Sequence, residues 1–148
     1  MKLAIGADWV GIDLKKGLVD HLQALGHEVM DVGAFSSEMN DYPDFAEKVG
    51  TAVVAGEVDL GIVICGTGIG MSIASNKVRG VRAALCHDAF TVSRSREHND
   101  ANVLALGAWV VSLPHACELV DLWLKTDYAG GRHESRLRKI EALDQRSG

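Results

Sequence analysis

Residues 59–72 read DLGIVICGTGIGMS, and this stretch decides the fold. An apolar run with one glycine, residues 60–64, ends on Cys65 and opens at once into Gly66, Thr67, Gly68, Ile69 and Gly70. The IASNKV that follows at 73–78 is compatible with a helix, so a strand, a glycine-rich turn and a helix succeed one another directly. Backbone N–H groups left free at such a junction can hold an anion or a developing oxyanion. A thiol set there is favoured as its thiolate, a usable base or nucleophile. The glycines fall at 66, 68 and 70, which is not the dinucleotide spacing G-x-G-x-x-G, and no Gly-Lys-Ser/Thr follows as in a Walker loop. The plainer alternative is a tight turn closing a buried strand, with Cys65 as a packing residue.

Working outward, residues 2–6 form a short apolar strand that leads into Asp8. Leu14, Leu18, Leu22 and Leu25 recur at helical spacing and Gly26 supplies a stop. Residues 27–32 alternate like a strand; 34–42 are polar and loop-like; Pro43 opens a helix with Phe45, Val49 and Val53 on one face. Beyond the central stretch come a strand at 81–86 and a polar helix at 88–97. A fifth strand at 103–106 and a helix opened by Ser112 and Pro114 follow. After Gly130 and Gly131 a charged helix covers 132–145. Five nearly all-apolar strands separated by helices imply a doubly wound parallel sheet buried on both faces, in one domain over residues 1–148. Ligands of such sheets bind outside the carboxyl ends of the strands, where Asp8, Cys65 and residues 98–102 all fall.

Composition narrows the function. The chain has 148 residues, 47% of them hydrophobic and 24% charged, with two prolines, which is the make-up of a globular domain with a real core. A net charge of −5 argues against a nucleic-acid binder. Three cysteines, at 65, 86 and 117, give neither a disulfide framework nor a metal pair. No apolar run approaches the ~20 residues of a membrane span, and no signal peptide is evident near Met1, so the expectation is a cytoplasmic protein. His98 by itself reads as a surface histidine and Asp8 as a helix cap. Arg132, Arg136, Arg138 and Lys139 read as a solvated helix face. Cys86 and Cys117, and the histidines at 21, 27, 87 and 115, are assigned to packing or surface.

Five blocks together resemble the ribose-5-phosphate isomerase B and galactose-6-phosphate isomerase family. They are IGAD at 5–8, DYP at 41–43, ICGTGIGMSIASNK at 64–77, EHNDANVLALG at 97–107 and GGRHESR at 130–136. The resemblance spans essentially the whole chain. It implies a Rossmann-like three-layer α/β/α sandwich with a five-stranded parallel sheet and a C-terminal helix. It also implies a homodimer or dimer of dimers with each active site between subunits, and an aldose–ketose isomerase of sugar phosphates without metal or cofactor. Cys65 then matches the base that moves a proton between C1 and C2 through an enediolate. The amides of Gly66, Thr67, Gly68, Ile69 and Gly70, with Ser72 nearby, would stabilise that enediolate, and Thr67 would orient the thiolate. His98 matches the ring-opening residue, with Asp8 assisting and Asn99 holding sugar hydroxyls. Tyr42 joins the substrate-binding set. Arg132 and Arg136 match phosphate ligands, one helical turn apart, with His133 between them.

Two positions depart from the family. Trp9 follows Asp8 where histidine or another polar or small residue is usual, and Trp109 stands where many members carry a phosphate-binding arginine. Both indoles are assigned to the sugar pocket, with the core or the subunit interface as the alternative for either, and the pocket position leaves open a tetrose or hexose phosphate, or an unphosphorylated sugar. Readings from other classes are a nucleotide-binding module of the stress-protein type and a non-catalytic partner subunit.

Overall fold

Apolar runs and amphipathic stripes alternate along the chain, and each becomes a strand or a helix. The strands are β1 (Lys2–Ala7), β2 (Glu28–Asp31), β3 (Leu60–Cys65), β4 (Ala83–Leu85) and β5 (Val103–Gly107). The helices are α1 (Ile12–Ala24), α2 (Tyr42–Val54), α3 (Ile69–Ser75), α4 (Ala89–Glu97), α5 (Leu113–Lys125) and α6 (Glu134–Arg146). The structure is a computed structural model that describes residues 1–146; positions 147 and 148 of the expected domain lie outside the described residues. All strand pairs are parallel, in the order β2-β1-β3-β5-β4.

Alternate side chains of a strand point to opposite faces, and two apolar clusters follow from that. Leu3, Ile5, Ile62, Ile64, Leu104 and Leu106 meet α1 and α5 on one face; Ala4, Val63, Cys65, Val103 and Ala105 meet α2 and α3 on the other. The result is the three-layer α/β/α sandwich. Every residue of β3 is buried; a fully buried Ile or Val contributes about 1.5–3 kcal/mol, so the strand leading to Cys65 is held from both sides. The chain leaves β1 through α1 on one face and reaches β3 through α2 on the other. That reversal opens a crevice beyond the carboxyl ends of β1 and β3.

Several boundaries differ from expectation. Burial on both faces holds for β1, β3 and β5, whereas β2 and β4 are sheet edges, half-exposed and shorter than the strands expected at 27–32 and 81–86. Leu25 lies past the end of α1 and is exposed, because Gly26 turns the chain there with φ +89°. The charged C-terminal segment starts as a 3-10 turn, Gly131–His133, before α6, and both Gly130, which precedes the turn, and Gly131, which opens it, have positive φ. No helix among the described residues is long and apolar enough to cross a membrane.

Candidate active site

Cys65 is the last residue of β3 and is 5% exposed. Its Sγ accepts a hydrogen bond from the Gly68 N–H at 3.2 Å, a contact that strengthens when the sulfur is anionic. Gly68 has φ +79°, and a Cβ there would lie 2.6 Å from Leu85 and 2.9 Å from the Leu106 backbone, so only glycine fits. The Thr67 hydroxyl oxygen accepts from the Ile69 N–H at 3.2 Å. Two of the five turn amides, those of Gly68 and Ile69, are therefore already engaged. From β5 the Ala108 N–H donates to the Cys65 carbonyl at 2.8 Å, and the Trp109 N–H to the Gly66 carbonyl at 2.9 Å. The Trp109 indole lies over Gly66 and the Tyr42 ring over Gly70; a Cβ on either glycine would come within 2.7 Å of its ring.

Asp8 stands across from this turn, beyond the end of β1. Its Oδ1 accepts from the Val10 N–H at 3.1 Å and the Gly11 N–H at 3.2 Å, capping the 3-10 turn Trp9–Gly11. The helix-cap role read from sequence is thus filled by one oxygen. Burial pushes the Asp8 carboxyl above its usual value, and the two amides pull it back only in part. The Trp9 N–H donates to Asn40 Oδ1 at 3.0 Å. Asp8, Trp9, Tyr42, Cys65, Gly66, Thr67, Ile69, Gly70 and Trp109 line one open cavity of about 600 Å³. Both tryptophans therefore face this cavity, and Trp109 is 73% exposed. Val10, Met39, Asn40, Asp41 and Ile73 also line it and were missed from sequence. Of these, Asp41 carried one signal, its place at the start of the DYP block.

The remaining expected residues gather elsewhere. His98, Asn99, Arg132, His133 and Arg136 line a second, polar cavity of about 320 Å³. His98 follows the end of α4, and its ring stacks on His133 with centroids 4.2 Å apart and planes 18° from parallel. The segment is braced at Asp100, whose carboxylate meets Arg96 at 2.9 Å and Arg82 at 3.3 Å. Arg136 Nη1 donates to the Arg132 carbonyl at 3.0 Å, which brings the two guanidinium-bearing residues to one side. Loss of hydration, then the charges of His98, Arg132 and Arg136, push the His133 pKa below its ordinary value, against the opposite pull of Glu97. Such a cluster suits a phosphate dianion.

Among the described residues the two cavities share no lining residue, and Ser72 lines neither. Ser72 lies a turn into α3, its N–H on the Gly68 carbonyl and its carbonyl taken by the Asn76 side chain. Among the described residues no group of three or more His, Cys, Asp or Glu is placed to hold a metal ion.

Fold and site together define an α/β protein with a Rossmann-like sheet, a thiol in a glycine-rich turn at its switch point, and a separate basic corner carrying stacked histidines. The chain belongs to the Ribose/Galactose Isomerase family, whose model matches residues 3–140. It is 52% identical to ribose-5-phosphate isomerase B of Escherichia coli over 145 residues, 98% of this chain and 97% of that protein. It is 43% identical to D-erythrulose-4-phosphate isomerase of Pectobacterium atrosepticum over 141 residues, 95% of this chain and 93% of that one. Among solved structures, ribose-5-phosphate isomerase B of Clostridium thermocellum superposes with a TM-score of 0.98 at 51% identity, covering 100% of both chains.

Proposed function

We propose that the chain is a cofactor-independent aldose–ketose isomerase of a small sugar phosphate, with ribose 5-phosphate and ribulose 5-phosphate as the default pair. The observation that carries this reading is Cys65, a buried thiol held by an amide at the floor of an open cavity, in a chain of this family. The Cys65 thiolate takes the C2 proton of the open-chain aldose, the O2 hydroxyl proton passes to O1 within the enediolate, and the thiol returns its proton to C1 as the carbonyl forms at C2. Negative charge passes through the enediolate oxygens, where the amides of the glycine turn stabilise it. The Thr67 oxygen already accepts from Ile69, so its own O–H proton is what it offers to sulfur or substrate. His98 opens the sugar ring, and Asp8 assists through Oδ2, the oxygen not engaged by the Val10 and Gly11 amides. Asn99 holds sugar hydroxyls; Arg132, His133 and Arg136 hold the phosphate.

A single chain keeps base and phosphate site in separate cavities, which supports a homodimer or dimer of dimers with the thiol cavity of one subunit facing the histidine cavity of another. Met39, Ile69, Ile73 and Trp109 are exposed around the thiol cavity in the lone chain, and an apolar rim of this kind marks an interaction surface. One domain over residues 1–148, without metal or nucleic acid, belongs to the same reading. A charged sugar phosphate does not cross a bilayer unaided, so the enzyme works in the cytoplasm.

A second reading is favoured by Trp9 and Trp109. Two indoles and one cation fewer make a flatter, less basic pocket, which suits a shorter sugar phosphate; a relative of this chain is a D-erythrulose-4-phosphate isomerase. A coupled assay of pentose, tetrose and hexose phosphates beside the free sugars tests both readings. Highest kcat/KM on the pentose phosphate supports the first, and on a tetrose phosphate the second. No turnover of any, together with thermal stabilisation by ATP, overturns both.

A further inference from the structure

β4 ends at Leu85, opposite Ala105 of β5. Carried two residues further, the same register sets position 87 against position 107, but by then the chain has left the sheet. The buried Gly107 amide therefore has no strand partner on that side, and a buried N–H needs an acceptor. It donates to His87 Nε2 at 2.9 Å. A ring nitrogen that accepts carries no proton, so this imidazole is neutral, with its proton on Nδ1. His115 Nε2 lies 3.1 Å from the His87 carbonyl and ties the segment to α5.

Gly107 is the point where β5 touches the turn after Cys65. A Cβ there would lie 2.7 Å from the Thr67 carbonyl group, so the two backbones are in direct contact. The next two amides, of Ala108 and Trp109, hold the carbonyls of Cys65 and Gly66. Wherever Gly107 sits, the thiol and the Trp109 indole go with it. We propose that His87 is a positioning residue for Cys65, its neutral imidazole replacing the strand residue that β4 lacks and fixing Gly107 against the glycine turn. His87 does not line the thiol cavity, so it acts through Gly107 and never on substrate.

The groups facing the ring bear on its charge. Burial disfavours the imidazolium and dominates; Asp88 beside it favours the charged form and His115 from α5 opposes it. Cys86 turns away toward Thr91 and Ser95. Acidification that protonates His87 removes the acceptor and releases Gly107.

The kinetic half of the test rests on the isomerase reading; the spectroscopic half does not. In nitrogen–proton correlation spectra of the wild-type protein, His87 should appear as the Nδ1–H tautomer, coupled across the hydrogen bond to the Gly107 amide. An Nε2–H ring overturns the proposal, whatever the protein turns over. With the sugar phosphate found by the assay above, His87→Leu should lower kcat about tenfold to a hundredfold, the cost of a misplaced reacting group, and leave KM within about threefold. His87→Gln supplies a non-titrating acceptor oxygen; it should recover most of kcat and hold it at mildly acidic pH, where wild type declines. Equal loss in both variants, an effect confined to KM, or an unchanged acid limb in His87→Gln overturns the proposal. Failure of every sugar phosphate to react would sink the isomerase reading while the tautomer still decided the role of His87.

Discussion

The two cavities of this chain are built on different principles. The thiol cavity sits at the carboxyl ends of β1 and β3, and backbone hydrogen bonds and ring contacts against glycines set its geometry. The histidine cavity sits where α4 ends and α6 begins, and long polar side chains braced by Asp100 shape it. The first is largely apolar apart from Asp8, Asp41 and a few uncharged polar groups; the second carries two arginines and two histidines. Proton transfer at carbon tolerates little displacement of the base, and a sheet edge supplies that rigidity. Phosphate capture depends on charge, which flexible cations at a helix start provide. A sugar phosphate needs both, and in one chain they stand apart.

The strongest way to break this division is Cys65→Ala. Losing a general base typically lowers rate ~10²–10⁴-fold, while phosphate affinity, measured as binding of a non-reacting sugar phosphate, should hold because the histidine cavity is untouched. Activity within a few-fold of wild type would assign the base elsewhere.

Mixing inactive variants sharpens the division further. If each site joins the thiol cavity of one subunit to the histidine cavity of another, Cys65→Ala and His98→Asn chains refolded together form hybrids with one intact site. Random pairing in a closed dimer then restores about a quarter of wild-type activity on ring-form substrate. No recovery, with hybrids demonstrated by native mass spectrometry, would mean that each site lies within one chain.

A smaller effect is expected at the indoles. A charge-assisted contact contributes roughly 1.5–3 kcal/mol, so Trp109→Arg with Trp9→His should raise kcat/KM for ribose 5-phosphate about tenfold to a hundredfold relative to a tetrose phosphate. An unchanged ranking of substrates would make the tryptophans structural.

The smallest effect concerns Asp8 and has a definite sign. Burial raises its folded pKa, so the fold disfavours the ionised form. Above that pKa the cost is present in full. As pH falls through it toward the usual 3.8, the folded protein takes the proton first and the cost vanishes. Asp8→Asn keeps an oxygen for the Val10 and Gly11 amides and never ionises. Its Tm should exceed that of wild type by a few degrees at neutral pH, and the gap should shrink on acidification while turnover is lost. A gap that widens in acid would contradict this account of the carboxylate.

What the sequence by itself determined is local. The five strands, the helices between them, the glycine turn after Cys65 and the helix opening at Ser112 were legible because periodicity and turn chemistry act over a few neighbouring residues. The site residues were legible through recurring blocks of sequence, which name candidates without arranging them. Only the tertiary structure decided that β5 inserts between β3 and β4, so that residues 107–109 clamp the thiol turn. It also decided that one oxygen of Asp8 is spent on a cap, that both indoles face the thiol, that Ser72 faces neither cavity and that His87 completes a strand edge. Strand order and these contacts join residues far apart in the chain. They are selected by burying both sheet faces at once and by finding an acceptor for every buried amide, conditions that no window of neighbouring residues contains.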